Sequence, residues 1–175
     1  MPNKIKIQQY SSPCGELRLG SYEDKLCLCN WMIEKHPGRI DHRLQSILKA
    51  TYEYDQSGIM KEAMKQLDEY FRHERKMFDI PLLFVGTDFQ KRVWKLLLKI
   101  PYGQTISYGT MAEKLGNPQA IRAVANANGA NAISIFAPCH RVIGSNNSLT
   151  GYGGGLNAKK YLLQLEQEQQ SFIFI

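Results

Sequence analysis

The run Pro138-Cys139-His140-Arg141-Val142 places a thiol, an imidazole and a guanidinium on consecutive residues. A thiol attacks only as its thiolate, and an unperturbed cysteine with a pKa of about 8.5 is mostly protonated at neutral pH. It needs a base, a positive environment or a helix N-terminus. His140 offers the base and Arg141 a fixed positive charge. Adjacent side chains on an extended chain point apart, so His140 reaches Cys139 only at a turn or through a bridging water. Pro138 stiffens the approach, and a third group is required to fix the imidazole tautomer. The pair has a second reading, in which Cys139 is one more buried small hydrophobe and His140 a surface residue. Taken alone, the two residues favour that one.

The other cysteines, Cys14, Cys27 and Cys29, form no Cys-x-x-Cys pair. Cys27 and Cys29 are two residues apart in an apolar run, so they face one side of a strand as core residues rather than metal ligands. The 175 residues carry 22 Lys and Arg against 16 Asp and Glu, a formal charge of +6. That excess suits a polyanionic partner, but only weakly, because many mildly basic domains are merely soluble. No segment approaches the ~18 consecutive apolar residues of a membrane span, and the N-terminal residues lack the apolar region of a secretory signal. The expected location is therefore cytoplasmic, or nuclear in a eukaryote, with reduced cysteines.

These residues need a scaffold, and the chain reads as α/β (α+β) in two parts. Residues 1–85 read as a small N-terminal antiparallel sheet with helices. Residues 86–175 read as a mostly helical domain with a helix-turn-helix. Ile5 and Ile7 alternate with polar residues as in a half-buried strand. Ser11 to Gly15 is turn chemistry, and further strands run from Leu17 to Gly20 and from Lys25 to Met32. Helical periodicity follows over about Asp41 to Tyr54 and Ile59 to Phe71. Phe78 to Phe84 reads as a returning strand that Pro81 confines to an edge or bulge. Thr87 and Gln90 form a capping box for a helix carrying Val93, Trp94 and Leu97. Ser107 caps a short helix that ends at Gly116. Asn117 caps the next, with Pro118 at its first position, giving the helix-turn-helix spacing. A last amphipathic helix starts near Asn157.

The second half also carries an ordered set of motifs. Ile100-Pro101-Tyr102-Gly103-Gln104-Thr105-Ile106-Ser107-Tyr108 is followed by Gly116-Asn117-Pro118, then Ala120-Ile121-Arg122-Ala123-Val124 and Asn131. Pro138-Cys139-His140-Arg141-Val142-Ile143, Tyr152-Gly153-Gly154-Gly155-Leu156 and Leu162-Leu163-Gln164-Leu165-Glu166 complete it. From about Gly86 to Glu166 this set resembles the O6-alkylguanine-DNA alkyltransferases, or methylated-DNA–protein-cysteine methyltransferases. The first 80 residues fit the family's N-terminal sheet domain only loosely; the resemblance implies a ribonuclease H-like first domain and a winged-helix-like second.

The resemblance implies that Cys139 takes an alkyl group from O6-alkylguanine, with O4-alkylthymine as a second candidate substrate, in one irreversible turnover without a cofactor. It implies that His140 is a water-mediated base and Glu166 its orienting carboxylate. Asn131 would be a hinge between recognition helix and active-site turn, and Tyr108 a proton donor to the leaving guanine. Arg122 would fill the gap left by the flipped nucleotide, with Asn117, Ala123 and Ser145 against the DNA. Tyr152, Gly153, Gly154 and Val142 would wall the base pocket. The implied partner is double-stranded DNA bearing O6-alkylguanine, bound through the minor groove by a monomer. Base extrusion costs a few kcal/mol, which such a plug and pocket offset.

Departures from the family pattern accompany these matches. Some members hold zinc in the N-terminal domain, but Cys14, Cys27 and Cys29 do not reproduce that spacing, so no metal is expected. Gly109 and Gly129 stand where some members have longer polar residues. The apolar tail Phe172-Ile173-Phe174-Ile175 has no counterpart in the pattern. Two other readings compete. A non-catalytic relative that binds alkylated bases would lack the cysteine, whereas Cys139 is present with His140, Asn131 and Glu166. An unrelated cysteine hydrolase would need an oxyanion hole, and no peptide groove is legible.

Overall fold

Alternation of Ile5 and Ile7, then Leu17 and Leu19, buries one face of two strands joined by a tight turn. A computed structural model describes residues 3–144, 152 and 155–173, with side chains described up to residue 168. Strand β1 (Asn3–Ser12) pairs antiparallel with β2 (Gly15–Tyr22), and β2 with β3 (Lys25–Trp31). The β2–β3 turn puts Glu23 and Asp24 both at positive φ, the geometry that matches strand twist in a two-residue hairpin.

The sheet is not wholly antiparallel. Its order is β3-β2-β1-β4, and β4 (Ala50–Tyr54) lies parallel to β1. The helix expected over residues 41–54 is instead α1 (Arg39–Leu48) followed by this strand. Lys49, left-handed at φ 51°, ends the helix, and Thr51, Tyr52 and Tyr54 have the shapes that suit a strand once β1 supplies a partner. Helix α2 (Gly58–Phe71) starts at Ser57, whose hydroxyl accepts from the Met60 amide, and buries Met60, Ala63, Leu67 and Tyr70. Residues 78–84 make one bridge rather than a strand, Leu26 to Leu82, through Leu26 N–H to Pro81 O and Leu83 N–H to Leu26 O. Pro81 is at an edge there, where its missing donor costs nothing.

The second half is helical. The Thr87–Gln90 capping box opens α3 (Asp88–Leu97), and Ser107 caps α4 (Tyr108–Lys114). Gly116, at φ 82°, ends that segment. Helix α5 (Ile121–Gly129) completes the helix-turn-helix, but Asn117 does not cap it. Asn117 O instead accepts from Ala120 N–H in the turn, and α5 begins three residues after Pro118, without a side-chain cap. Trp94 Nε1 donates to Ala127 O at 2.8 Å, fixing α5 on α3. A parallel pair, β5 (Ile106–Ser107) with β6 (Val142–Ile143), flanks the 3₁₀ turn Cys139–Arg141. Helix α6 (Leu156–Ile173) closes the chain. None of the described helices is long and apolar enough to cross a membrane.

The two halves share one core. Cys29 N–H donates to Ala132 O and Ser134 N–H to Cys29 O, both at 2.8 Å, so β3 makes a parallel bridge to the segment before the 3₁₀ turn. Arg43 of α1 donates to Val85 O and Ala130 O. Where the halves meet, Gly86 faces the Trp94 ring so closely that a Cβ would lie 2.6 Å from it. Gly86→Ala is therefore expected to cost about 1–3 kcal/mol through overpacking, read as a lower urea midpoint with an unchanged m-value.

Candidate active site

Cys139 sits at the start of the 3₁₀ turn and is only 3% exposed. The turn is held from both sides. Asn131 accepts from Ile133 N–H and donates to Ala137 O at 2.9 Å, closing the loop that leads into it. Asn128, at the end of α5, donates to Cys139 O at 3.2 Å and to the Tyr108 hydroxyl at 3.5 Å. Between them Ile135 has φ 75°, a conformation rare for a β-branched residue and one that only a closely determined loop retains. The β5–β6 pair brings the start of α4, and with it Tyr108, alongside the turn.

Glu166 is the centre of the polar network. It is 1% exposed and accepts from side chains of both halves of the molecule. His140 Nε2 lies 2.7 Å from Oε2, and the Tyr70 hydroxyl donates to the same oxygen at 2.7 Å. Arg141 forks onto both oxygens at 2.9 and 3.1 Å, and Gly103 N–H donates to Oε1 at 3.1 Å. Burial alone would raise the pKa of Glu166, but the His140 and Arg141 partners outweigh it and hold the carboxyl far below its usual range. An ionised carboxylate only accepts, so His140 carries its proton on Nε2. Its Nδ1 is then the basic atom, buried and without a hydrogen-bond partner among the described residues. Burial pushes the His140 pKa down despite Glu166, keeping the ring neutral at neutral pH.

The thiol itself is not activated at rest. Burial raises the Cys139 pKa, opposed by hydrogen bonds from Asn131 and Ser134 and by the charge of Lys159. The positive group near the sulfur is thus Lys159, not Arg141, whose guanidinium is spent on Glu166 and Ile100 O. Lys159 Nζ donates to Val142 O at 2.6 Å and lies 5.8 Å from the Tyr108 ring centre; burial brings its pKa down to about 8. Tyr108 is buried, which pushes its hydroxyl up to about 12 and keeps it protonated.

Cys139, His140, Glu166, Asn131, Tyr108, Val142 and Tyr152 therefore converge. Arg122, Ala123 and Asn117 are exposed, the first two on α5, whose opposite face buries Val124 and Ala127. Ser145, Gly153 and Gly154 lie outside the described residues. Asn128, Tyr70, Lys159 and Trp31 were not legible as site residues. Trp31 Nε1 donates to the Tyr152 hydroxyl at 3.2 Å. Cys27 and Cys29 are buried, and all four cysteines are free. Among the described residues no group of three or more His, Cys, Asp and Glu side chains is placed to hold a metal ion.

The network sets a pH dependence. The folded-state pKa of His140 lies below the unfolded value of about 6.5, so the unfolded chain takes up the proton first and stability falls as pH drops below that value. Glu166, with its folded pKa depressed, adds stability that is fully present above about pH 4.3 and is lost as pH falls further. Urea midpoints are expected to decline in two stages on acidification, with the lower stage diminished in Glu166→Gln. At neutral pH that variant is expected to lose about 3–5 kcal/mol, since Arg141 would keep a buried charge without its counter-ion.

Comparison with known proteins agrees with this geometry. The family model described as 6-O-methylguanine DNA methyltransferase, DNA binding domain, matches residues 88–168. A methylated-DNA–protein-cysteine methyltransferase of Methanosarcina acetivorans is 43% identical over 157 residues, covering 90% of this chain and 95% of that protein. The structure of the Mycobacterium tuberculosis O6-methylguanine methyltransferase superposes with a TM-score of 0.80 at 41% identity, covering 98% of this chain and 99% of that one. M. tuberculosis OGT in complex with DNA gives a TM-score of 0.79 at 42% identity, covering 95% and 94%. With 43% identity sustained over nine tenths of its length, the chain belongs to the methylated-DNA–protein-cysteine methyltransferase family.

Proposed function

We propose that this protein repairs DNA by direct reversal, drawing the alkyl group of O6-alkylguanine, and of O4-alkylthymine where it fits, onto Cys139. The observation that carries the assignment of roles is the 2.7 Å bond from His140 to Glu166 beside a buried Cys139 on the same turn. His140 Nδ1 takes the thiol proton through a water, and Glu166 stabilises the imidazolium that forms. The thiolate attacks the alkyl carbon in line: the C–S bond forms, the C–O6 bond breaks, and its electron pair goes to guanine. Tyr108 gives a proton to the purine, so that the leaving group is neutral guanine. The His140 imidazolium returns its proton through solvent to the Tyr108 phenolate, so that in the net reaction one proton passes from the thiol to guanine and Cys139 becomes a thioether. A thioether has no ready route back to thiol, so each molecule acts once and needs no cofactor.

Residues 86–175 carry the DNA contacts and the acceptor, and residues 1–85 support them from behind. Helix α5 enters the minor groove, where Ala123 allows close approach, and Asn117 and Ser145 meet the backbone. Arg122 takes the place of the extruded nucleotide, whose base is received by Tyr152, Val142, Gly153 and Gly154. The protein acts as a monomer wherever the cell keeps its DNA, the cytoplasm or, in a eukaryote, the nucleus.

After incubation with O6-methylguanine duplex, the intact mass is expected to rise by one methyl group, located on the Cys139 peptide. Cys139→Ser is expected to show no gain; lesion binding without any mass gain in the wild type would instead mean a non-catalytic binder. Arg122→Ala is expected to slow repair of duplex DNA by at least tenfold while leaving reaction with the free alkylated base nearly intact. Equal losses on the two substrates would remove the base-extruding role from Arg122.

A further inference from the structure

A cavity of about 140 Å³ opens beside Cys139, and its walls come from both halves of the chain. Asn131, Ser134, Cys139 and Tyr152 line it from the second half, Asn30 and Trp31 from the end of β3. An apolar cavity of about 150 Å³ accommodates a benzene ring; this one has a similar volume, though charged side chains of residues 34–43 line part of it. Its position matters more than its size. During in-line attack the transferred carbon sits between guanine and sulfur, so the remaining atoms of a larger alkyl group must lie to the side, against the walls next to Cys139.

Trp31 sets the position of one such wall. The indole is 4% exposed, and its N–H donates to the Tyr152 hydroxyl at 3.2 Å. The two rings meet edge to face, with centroids 6.1 Å apart and planes at 67°, an arrangement attractive beyond its buried area. Tyr152, 5% exposed, has a second polar neighbour in Ser134. The indole is seated from behind by Gly15, where a Cβ would come within 3.4 Å of its six-membered ring. Trp31 is thus clamped between the sheet and Tyr152. It lines the cavity itself and is tied by its hydrogen bond to Tyr152, a second wall of the same cavity.

We infer that Trp31 is a specificity-determining positioning residue: through Tyr152 it sets how large an O6-alkyl group the cavity beside Cys139 accepts. The inference rests on the proposed alkyl transfer to Cys139 and adds the residue that limits the substrate class. A shorter apolar side chain at 31 enlarges the cavity and frees Tyr152 to move outward. Bulky groups gain more from that than methyl does, and each methylene-sized change of fit in such a pocket alters discrimination by about tenfold or more.

The test is the ratio of single-turnover rates on two duplexes of one sequence, one carrying O6-benzylguanine and the other O6-methylguanine. DNA binding and base extrusion are common to both and largely cancel in the ratio. Trp31→Leu is expected to raise the benzyl-to-methyl ratio about tenfold. Trp31→Phe keeps an aromatic ring of smaller volume and removes the N–H donor, and is expected to raise the ratio less. It also guards against loss of fold in the leucine variant. In a Tyr152→Phe background, Trp31→Phe is expected to have little further effect, because the bond is already gone. Ratios within twofold of wild type in both Trp31 variants would overturn the inference. So would a Trp31→Phe effect that is the same with and without the Tyr152 hydroxyl. If the wild type transfers neither group to Cys139, the failure belongs to the alkyl-transfer reading itself.

Discussion

One buried carboxylate organises this molecule. Removing a carboxylate from water costs several kcal/mol even after the protein relaxes, and the cost is recovered only where geometry is good and every lone pair is used. Glu166 meets that condition with Tyr70 from α2, Gly103 from the turn after α3, and His140 and Arg141 from the 3₁₀ turn. Four distant segments of sequence must therefore be in place together. The Cys139 turn inherits its position from this requirement, because two of its three residues are donors to Glu166. Arg141 also donates to Ile100 O, joining the turn to the end of α3 at 2.6 Å.

The same burial keeps Cys139, the proposed acceptor, protonated at rest. A thiol held up by desolvation, beside a neutral imidazole, is a poor target for stray electrophiles and oxidants, whose reactions need thiolate. Lys159, Asn131 and Ser134 favour the thiolate without overcoming burial. Their contribution rises as charge develops on sulfur in the transition state, which is where stabilisation accelerates a reaction. For a protein that acts once, as proposed above, keeping the cysteine unreacted while it searches matters as much as the rate of the step.

Much of this was legible in sequence where the signal is local. The Thr87–Gln90 capping box, the Ser107 cap and the buried alternation of β1 are contained within a few residues, and each is found as read. The antiparallel pairing of β1, β2 and β3 is found as read, whereas the parallel fourth strand and the early end of the first helix were missed for one reason. Residues 50–54 become a strand only because β1, more than forty residues away, offers its free edge, and periodicity over Leu44, Ile47 and Leu48 gave no sign of it. Within the site, Cys139 and His140 stand out by type, but the pairing of Arg141 with a carboxylate 25 residues on does not. Asn128 reads as a helix-end polar residue, Tyr70 as one more aromatic on an apolar face, and Lys159 as a solvated charge. Each acquires a role only when packing removes water around it.

The N-terminal half is accordingly more than a scaffold that happens to be attached. Two of its buried aromatic residues cross to the chemistry by hydrogen bonds: Tyr70 to Glu166 and Trp31 to Tyr152. A hydroxyl or indole N–H buried without a partner costs energy, so each also pins its own element to the second half. Cleavage or loosening between the halves would leave Glu166 with one donor fewer and the 140 Å³ cavity without one wall. The carboxylate would still be held by Arg141 and Gly103, and Cys139 would still follow Asn131 through its loop. In the proposed reaction the acceptor and base therefore belong to the second half, and the first half contributes to how firmly base and substrate are held. That division follows from which side chains bury their polar atoms against which partners.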